Sequence, residues 1–195
     1  MPHALLVDTA TLAGNLDDPG WVVVDCRSHP ADPAVGRAGY ANGHLPGAIF
    51  LDVDIDLCGA HTGRNGRHPL PDPGRLGATL GAAGIAVSSQ VVAYDDCGGA
   101  SAARLWWLLR WLGHEAVAVL DGGLPRWLAE GRPLTTAAPR RSATRYEGTP
   151  RDDAMVDCRF VLAHLETGDV VLVDARAPAR YRGETEPIDA VAGRI

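Results

Sequence analysis

Short apolar runs alternate along the chain with longer amphipathic segments, and this alternation limits the possible folds more than any other feature. The runs are rich in β-branched residues and are bounded by Asp, Gly or Pro. Such runs are typical of parallel strands buried on both faces, and successive parallel strands need a crossover helix between them. The sequence therefore predicts an α/β fold with a central parallel sheet flanked by helices. The predicted strands are 21–25, 91–95, 116–123 and 169–174, and the predicted helices are 9–16, 73–83, 101–112, 124–130 and 158–167.

An internal repeat lies on the two sides of a segment rich in Pro, Thr, Arg and Gly. Residues 6–28, LVDTATLAGNLDDPGWVVVDCRS, are similar to residues 155–177, MVDCRFVLAHLETGDVVLVDARA. A repeat of this length predicts two domains of similar fold, and a complete second copy needs a chain of roughly 280–300 residues. We therefore expect a first domain, a linker and the truncated N-terminal part of a second domain. Their predicted bounds are 1–135, 136–154 and 155–195.

The charge pattern excludes several partners and cofactors. All 18 basic residues are Arg, and the absence of Lys excludes Schiff-base chemistry and a Walker A phosphate loop. The net charge of −6 argues against nucleic acid and anionic membranes as partners. The arginines are scattered except for the adjacent pair Arg140 and Arg141. We predict no cofactor.

The four cysteines are widely spaced, without a CxxC pair, and are expected to be free thiols. His61 and His68 share a loop, but no Cys or carboxylate accompanies them at metal-ligand spacing, so no metal site is predicted. The N-terminus has no leader-like apolar run, and no stretch is long enough to span a membrane. We expect a cytoplasmic protein.

Four stretches together carry a resemblance to a known family. Residues 40–48 read YANGHLPGA, and they follow the VVDCR of the first predicted strand. The other two stretches are YDDCGGASAARLWWLLRWLGH at 94–114 and VAVLDGGLPRWLAEG at 117–131. This combination resembles the rhodanese family, and more narrowly its tandem-domain thiosulfate and 3-mercaptopyruvate sulfurtransferases. The resemblance also accounts for the repeat, as a complete first rhodanese domain and a truncated second one.

The resemblance implies sulfur transfer from a small anionic donor to a thiol or cyanide through a cysteine persulfide. In the family the nucleophile is the first residue after a strand, in a loop of backbone N–H groups that ends in a helix N-terminus, where a thiolate is stabilised. Asp95 stands at that position, and we expect its carboxylate to accept loop N–H bonds as an N-cap does. The first domain is then inactive. We expect the nucleophile beyond residue 195 and little activity from this chain alone.

Cys97 lies two residues after Asp95, and its role has two possible interpretations. It is either an incidental loop cysteine, which we favour, or a sulfur-carrying nucleophile. A phosphatase interpretation is weaker. Cys97 and Arg104 are spaced as C-x6-R, whereas an arginine that cradles a phosphate needs the spacing C-x5-R. Ala103 stands where that arginine would have to be. Ser101 is predicted to be the N-cap of the helix that follows.

Two residues are predicted to bind substrate. Arg180, in RYRGETEPID at 180–189, matches an arginine that faces the anionic substrate in the family's second domain, and a surface salt bridge is its alternative. His68 is expected to line a cleft between the domains, unless it is merely solvated. Asp189 stands where mercaptopyruvate enzymes have a further arginine, which favours thiosulfate as the donor.

Other motif residues have a structural interpretation. His44 is expected to fix the fold beside a tight Pro-Gly turn, and Asp25 and Arg27 are expected to form a structural ion pair or to brace a loop. The alternative function is a non-catalytic rhodanese-like module that binds a partner, or that associates with itself through the incomplete second domain.

Overall fold

The computed structural model describes residues 2–29, 32, 34–188 and 192–193. The chain divides into two compact units, residues 1–151 and residues 152–195. The predicted linker, 136–154, is not a separate segment in this division. Most of it belongs to the first unit. Among the described residues, no helix combines the length and the apolar character needed to cross a bilayer.

The first unit is built on a five-stranded sheet in which every strand pair is parallel. The sheet confirms the predicted α/β class, and its strand order is β1-β5-β4-β2-β3. The longest pairing aligns Trp21 with Gln90 and Asp25 with Tyr94. The two edge strands have two residues each and were too short to predict from a pattern. The strands are β1 Leu6–Val7, β2 Trp21–Asp25, β3 Ile49–Phe50, β4 Gln90–Tyr94 and β5 Val117–Leu120.

Five helices belong to the first unit, and four of them were predicted. The helix at Ala34–Asn42 was not, because its two internal glycines lower helix propensity. Gly36 is required there, since a Cβ at this position would lie 2.1 Å from the carbonyl oxygen of Arg27. The first-unit helices are α1 Thr9–Ala13, α2 Ala34–Asn42, α3 Pro73–Ala82, α4 Ala102–Trp111 and α5 Gly123–Ala129.

The second unit contains a short 3-10 helix, Asp152–Ala154, and two helices, α6 Cys158–His164 and α7 Pro178–Tyr181. Asp157 caps α6 by accepting the N–H of Phe160 at 2.8 Å. The predicted strand 169–174 was wrong, since no strand pairs with this segment in the described part of the chain. A strand needs a hydrogen-bonded neighbour, and here Val171 and Val173 are each 84% exposed.

The segment after α5 runs along the first unit and is bonded to it at several points. Thr135 and His44 form an antiparallel bridge, and the N–H of Thr144 donates to Gly81 at 2.8 Å. Tyr146 is buried, and burial raises its pKa to about 12. The ring nitrogens of His44 lie 2.9 Å from the carbonyl oxygen of Tyr40 and 3.1 Å from that of Ala137. His44 therefore has the predicted fold-fixing contacts.

A buried polar network joins the carboxyl ends of β2 and β4. Asp25 and Arg27 form the predicted ion pair, with 2.6 Å between their closest atoms, and Arg27 also donates to the carbonyl of Gly43 at 2.8 Å. Burial is the largest single influence on Arg27 and opposes its charge, but the hydrogen bond and charge of Asp25, together with Tyr94 and Asp96, outweigh burial and raise the pKa of Arg27. The Tyr94 hydroxyl donates to Asp25 at 2.6 Å and accepts the N–H of Leu45 at 3.2 Å. Burial and the Asp25 charge raise the pKa of Tyr94, which keeps its hydroxyl protonated as a donor.

We expect Tyr94→Phe to lower the free energy of unfolding by about 1–2 kcal/mol, because Asp25 loses a donor and the Leu45 N–H loses its acceptor inside the core. Urea unfolding followed by tryptophan fluorescence measures the change. Tyr40→Phe is the matched control, since the Tyr40 hydroxyl bonds one carbonyl, that of Ala48, at a partly exposed position. Equal losses in the two variants would contradict a special role for the Asp25 network.

Candidate active site

The loop between β4 and α4, residues 95–101, lies at the carboxyl edge of the parallel sheet. Active sites of open α/β sheets are commonly found at this edge. Gly98 and Gly99 have φ values of +77° and +90°, a region that favours glycine. These two residues let the backbone turn so tightly that several N–H groups point toward one place.

The Asp95 side chain occupies that place. Its Oδ1 atom accepts the N–H groups of Cys97 at 3.1 Å and Gly99 at 2.8 Å. Its Oδ2 atom accepts those of Ser101 at 2.8 Å and Ala102 at 2.9 Å. Asp95 is 1% exposed, so one buried carboxylate satisfies four N–H groups of the loop and of the first turn of α4. The expectation that Asp95 accepts loop N–H bonds is confirmed.

Asp95, not Ser101, caps α4. Ser101 has helical backbone angles, and its side chain makes no capping hydrogen bond. Its hydroxyl instead lies 2.7 Å from that of Ser28. The backbone carbonyl of Asp95 accepts the N–H of Leu124 at 2.8 Å, which joins the loop to the start of α5. The loop is therefore held from the inside by the carboxylate and from the side by α5.

Cys97 is exposed at the surface of the loop. Its Sγ atom lies 3.7 Å from the Ser101 hydroxyl, and its own N–H donates to Asp95. The donors that would stabilise a thiolate or a persulfide in this loop already bond a carboxylate. Cys97 thus has a fixed negative charge beside it where an activated thiol needs positive charge or unpaired donors.

Arg104 does not serve the loop either. Its guanidinium donates to three backbone carbonyls, those of Leu57, His68 and Pro69, at 3.1–3.2 Å. Burial lowers the pKa of Arg104. The C-x6-R spacing therefore corresponds to an arginine that braces a neighbouring loop, and this geometry gives the phosphatase reading no support.

His68 lies at a cleft of about 270 Å³ beside the Asp95 loop. Its Nε2 atom is 2.8 Å from Oδ1 of Asp54, so a carboxylate orients the imidazole. Ser28, Ser101 and Arg104 line the same cleft. Asp54 was missed from the sequence, because the contact spans 14 residues within an irregular loop.

Arg180 lies in α7 of the second unit and is held by Glu186. Its Nε and Nη2 atoms donate to the two carboxylate oxygens of Glu186 at 3.2 and 2.7 Å. The Glu186 side chain is only 7% exposed. This bidentate pair presets the orientation of the guanidinium. Sequence reasoning did not identify Glu186. Asp189 lies outside the described residues.

The histidines of the 58–70 loop do not form a metal centre. His61 contacts the carbonyl of Arg67 and lies 3.8 Å from the Cys58 thiol, whereas His68 pairs with Asp54. Within the described ranges, no group of three His, Cys, Asp or Glu side chains could hold a metal ion. Burial raises the pKa of the Cys58 thiol.

Comparisons with known proteins match this architecture. The family model of the rhodanese-like domain matches residues 8–130, which include the Asp95 loop. The chain belongs to the rhodanese family. The sequence predicted that its relatives in this family would be thiosulfate and 3-mercaptopyruvate sulfurtransferases.

Two curated relatives and one solved structure place this rhodanese chain among sulfurtransferases. A Pseudomonas aeruginosa protein named "Probable 3-mercaptopyruvate sulfurtransferase" is 45% identical over 100% of this chain and 69% of its own length. The thiosulfate sulfurtransferase of Bos taurus is 35% identical over 97% of this chain and 65% of its own length. The 3-mercaptopyruvate sulfotransferase SseA from Escherichia coli superposes with a TM-score of 0.81 and 28% identity, covering 93% of this chain and 70% of that one. The chain thus spans about two thirds of the length of these proteins.

We expect Asp95→Asn to lower the free energy of unfolding by about 2–4 kcal/mol, because an amide offers one acceptor oxygen to four N–H groups and turns its NH2 toward the others. Asp96→Asn is the matched control at the adjacent, exposed position, with an expected change within about 0.5 kcal/mol. Urea unfolding measures both variants. A loss for Asp95→Asn as small as that for Asp96→Asn would show that the carboxylate does not hold the loop.

Proposed function

We propose that this rhodanese acts in sulfur transfer from thiosulfate or 3-mercaptopyruvate to a thiol or cyanide. A cysteine thiolate attacks the outer sulfur of thiosulfate, the S–S bond breaks, and sulfite leaves with the electron pair. The persulfide then passes its outer sulfur to the acceptor, and the thiolate is regenerated. We place this cysteine in a second rhodanese domain outside residues 1–195, so that residues 1–195 alone have little activity.

One observation carries this assignment, namely the Asp95 carboxylate bonded to four N–H groups. A persulfide anion needs such donors, and the loop of the first unit offers them to a permanent anion. Asp95 is no sulfur nucleophile, and it occupies the place where a thiolate would be stabilised. The loop therefore has the form of a sulfur-transfer site without the reactive atom.

The proposed second domain is supported by bonds that recur in both units. Arg27 donates to Asp25 and to the carbonyl of Gly43, and Arg176 donates to Asp174 and to the carbonyl of Gly193, with 2.6 and 2.8 Å in each case. Asp8 and Asp157 likewise cap α1 and α6 through the N–H three residues later. These matches favour two copies of one domain, the second represented only by its beginning.

Arg180 and His68 are the proposed substrate-binding residues. The guanidinium of Arg180 suits a small anion, and Glu186 holds it in a fixed orientation until the anion competes for its N–H groups. His68, oriented by Asp54, can exchange a proton with a donor or acceptor thiol. Asp189 favours thiosulfate over mercaptopyruvate. A cytoplasmic location fits the four free thiols and stays a prediction.

Asp95→Cys combined with Cys97→Ser tests the role of the loop directly. We expect wild-type protein treated with thiosulfate to gain no sulfur at Cys97, and the double variant to gain one sulfur atom at position 95, because its thiolate meets the loop N–H groups. Peptide mass spectrometry locates the added sulfur, and thiocyanate formation from cyanide measures turnover. Cys97→Ser alone is the control for the second change, and circular dichroism verifies folding. Ordinary turnover by the wild type that is lost in Cys97→Ser would overturn the proposal.

A second candidate function is a non-catalytic assembly module. The observation that favours it is the exposed apolar segment around Val171 and Val173, which has no strand partner among the described residues. Val171→Asp with Val173→Asp is expected to abolish concentration-dependent association in light scattering. Val87→Asp, at a 56% exposed position of the first unit, is expected to leave association unchanged. A wild-type protein that is monomeric at every concentration would eliminate this candidate.

A further inference from the structure

The adjacent arginines Arg140 and Arg141 lie at a polar cleft of about 390 Å³ in the first unit. The cleft is at the amino edge of the sheet, because Gly20 precedes β2 and Ser89 precedes β4. The Asp95 loop follows β4 at the opposite edge, and β4 has five residues. At about 3.3 Å per residue, roughly 16 Å separate the two places. The lining includes Gly20, Ser88, Ser89, Arg140, Arg141 and Ser142.

Arg141 is built into this cleft. Its Nη1 and Nη2 atoms donate to the carbonyls of Trp21 and Pro19 at 3.1 and 3.0 Å, which fixes the plane of the guanidinium. Its Nε atom is buried and has no hydrogen-bond partner among the described residues. Burial lowers the pKa of Arg141, and no carboxylate bonds its guanidinium among the described residues. The arrangement places a fixed cation at the wall of the cleft, while its unpaired Nε atom is enclosed by the surrounding protein.

The cleft lacks an acidic residue that could neutralise its two cations. No acid lines it, and within the described part of the chain neither Arg140 nor Arg141 forms an ion pair. The nearby Asp18 carboxylate accepts the N–H of Gly20 at 2.8 Å. Ser88 and Ser142 also line the cleft. Two guanidinium groups and hydroxyl donors together are the chemistry that recognises an oxyanion with two negative charges.

We propose that this cleft binds a small tetrahedral dianion of the sulfate, thiosulfate or phosphate type, at a site separate from the Asp95 loop. Arg140, which is exposed, supplies the mobile charge, and Arg141 supplies the fixed one. Because Arg141 also holds the strand entry at Trp21, the bound anion joins the segment after α5 to the amino end of β2.

Isothermal titration with sodium sulfate, and separately with inorganic phosphate, at ionic strength held constant with sodium chloride tests this site. We expect saturable binding of one dianion per chain and none of acetate. Arg140→Gln should weaken the affinity about tenfold or more, the equivalent of one charge-assisted hydrogen bond. Arg141→Lys, which keeps the charge but loses the planar donor set, should weaken it to a similar degree.

Arg145→Gln is the matched control in the same segment, since it removes one charge from a side chain that is 84% exposed and paired with Glu147. It should bind the dianion as the wild type does. The anion that binds more tightly distinguishes a sulfur oxyanion from a phosphate as the natural ligand. Heat signals that do not saturate, or an affinity reduced equally by Arg145→Gln and Arg140→Gln, would overturn the proposal.

Discussion

The carboxylate of Asp95 is the interaction around which the carboxyl edge of the first unit is organised. Without it, three loop N–H groups, those of Cys97, Gly99 and Ser101, and the N–H of Ala102 at the start of α4 would lose their acceptor. Its carbonyl oxygen adds the bond to α5, so one residue ties β4, α4 and α5 together. A thiolate or persulfide at this place would carry the same charge but would also react. The loop thus holds a buried carboxylate that accepts its N–H groups.

The ion pairs Asp25–Arg27 and Asp174–Arg176 show how much of the architecture depends on local contacts. Arg27 and Arg176 each contact an aspartate two residues earlier through their side chain and their own N–H group. Such an arrangement needs no neighbouring strand, which explains why the second unit has it while segment 169–174 pairs with nothing described. The pKa of Asp174 is lowered to about 2, chiefly by the bond from the Arg176 side chain. The Asp25 pair differs in its surroundings, since Tyr94 and the Leu45 N–H enclose it in the core.

Sequence reasoning succeeded where structure depends on local chemistry. The predicted helix 73–83 corresponds to α3, and the apolar runs mark β2, β4 and β5. It failed for α2, where Gly36 is required by the approach of the Arg27 backbone, and for 169–174, where apolar character did not guarantee a partner strand. Within the site, the resemblance to the rhodanese family directed attention to Asp95, and its bonds to the loop N–H groups were expected. Asp54 and Glu186 could not be found, because their pairing with His68 and Arg180 depends on how irregular loops fold back.

The segment between Thr135 and Arg151 changes where the first folding module ends. The family match stops at residue 130, yet Thr135, Thr144 and Tyr146 contribute a bridge, a helix contact and a buried ring to the same body. A chain that ended at residue 130 would lack Tyr146, which packs against α3, and Arg141, which bonds the amino end of β2. A recombinant first domain should therefore extend to about residue 151, because most of the segment predicted to be a linker packs on the first unit.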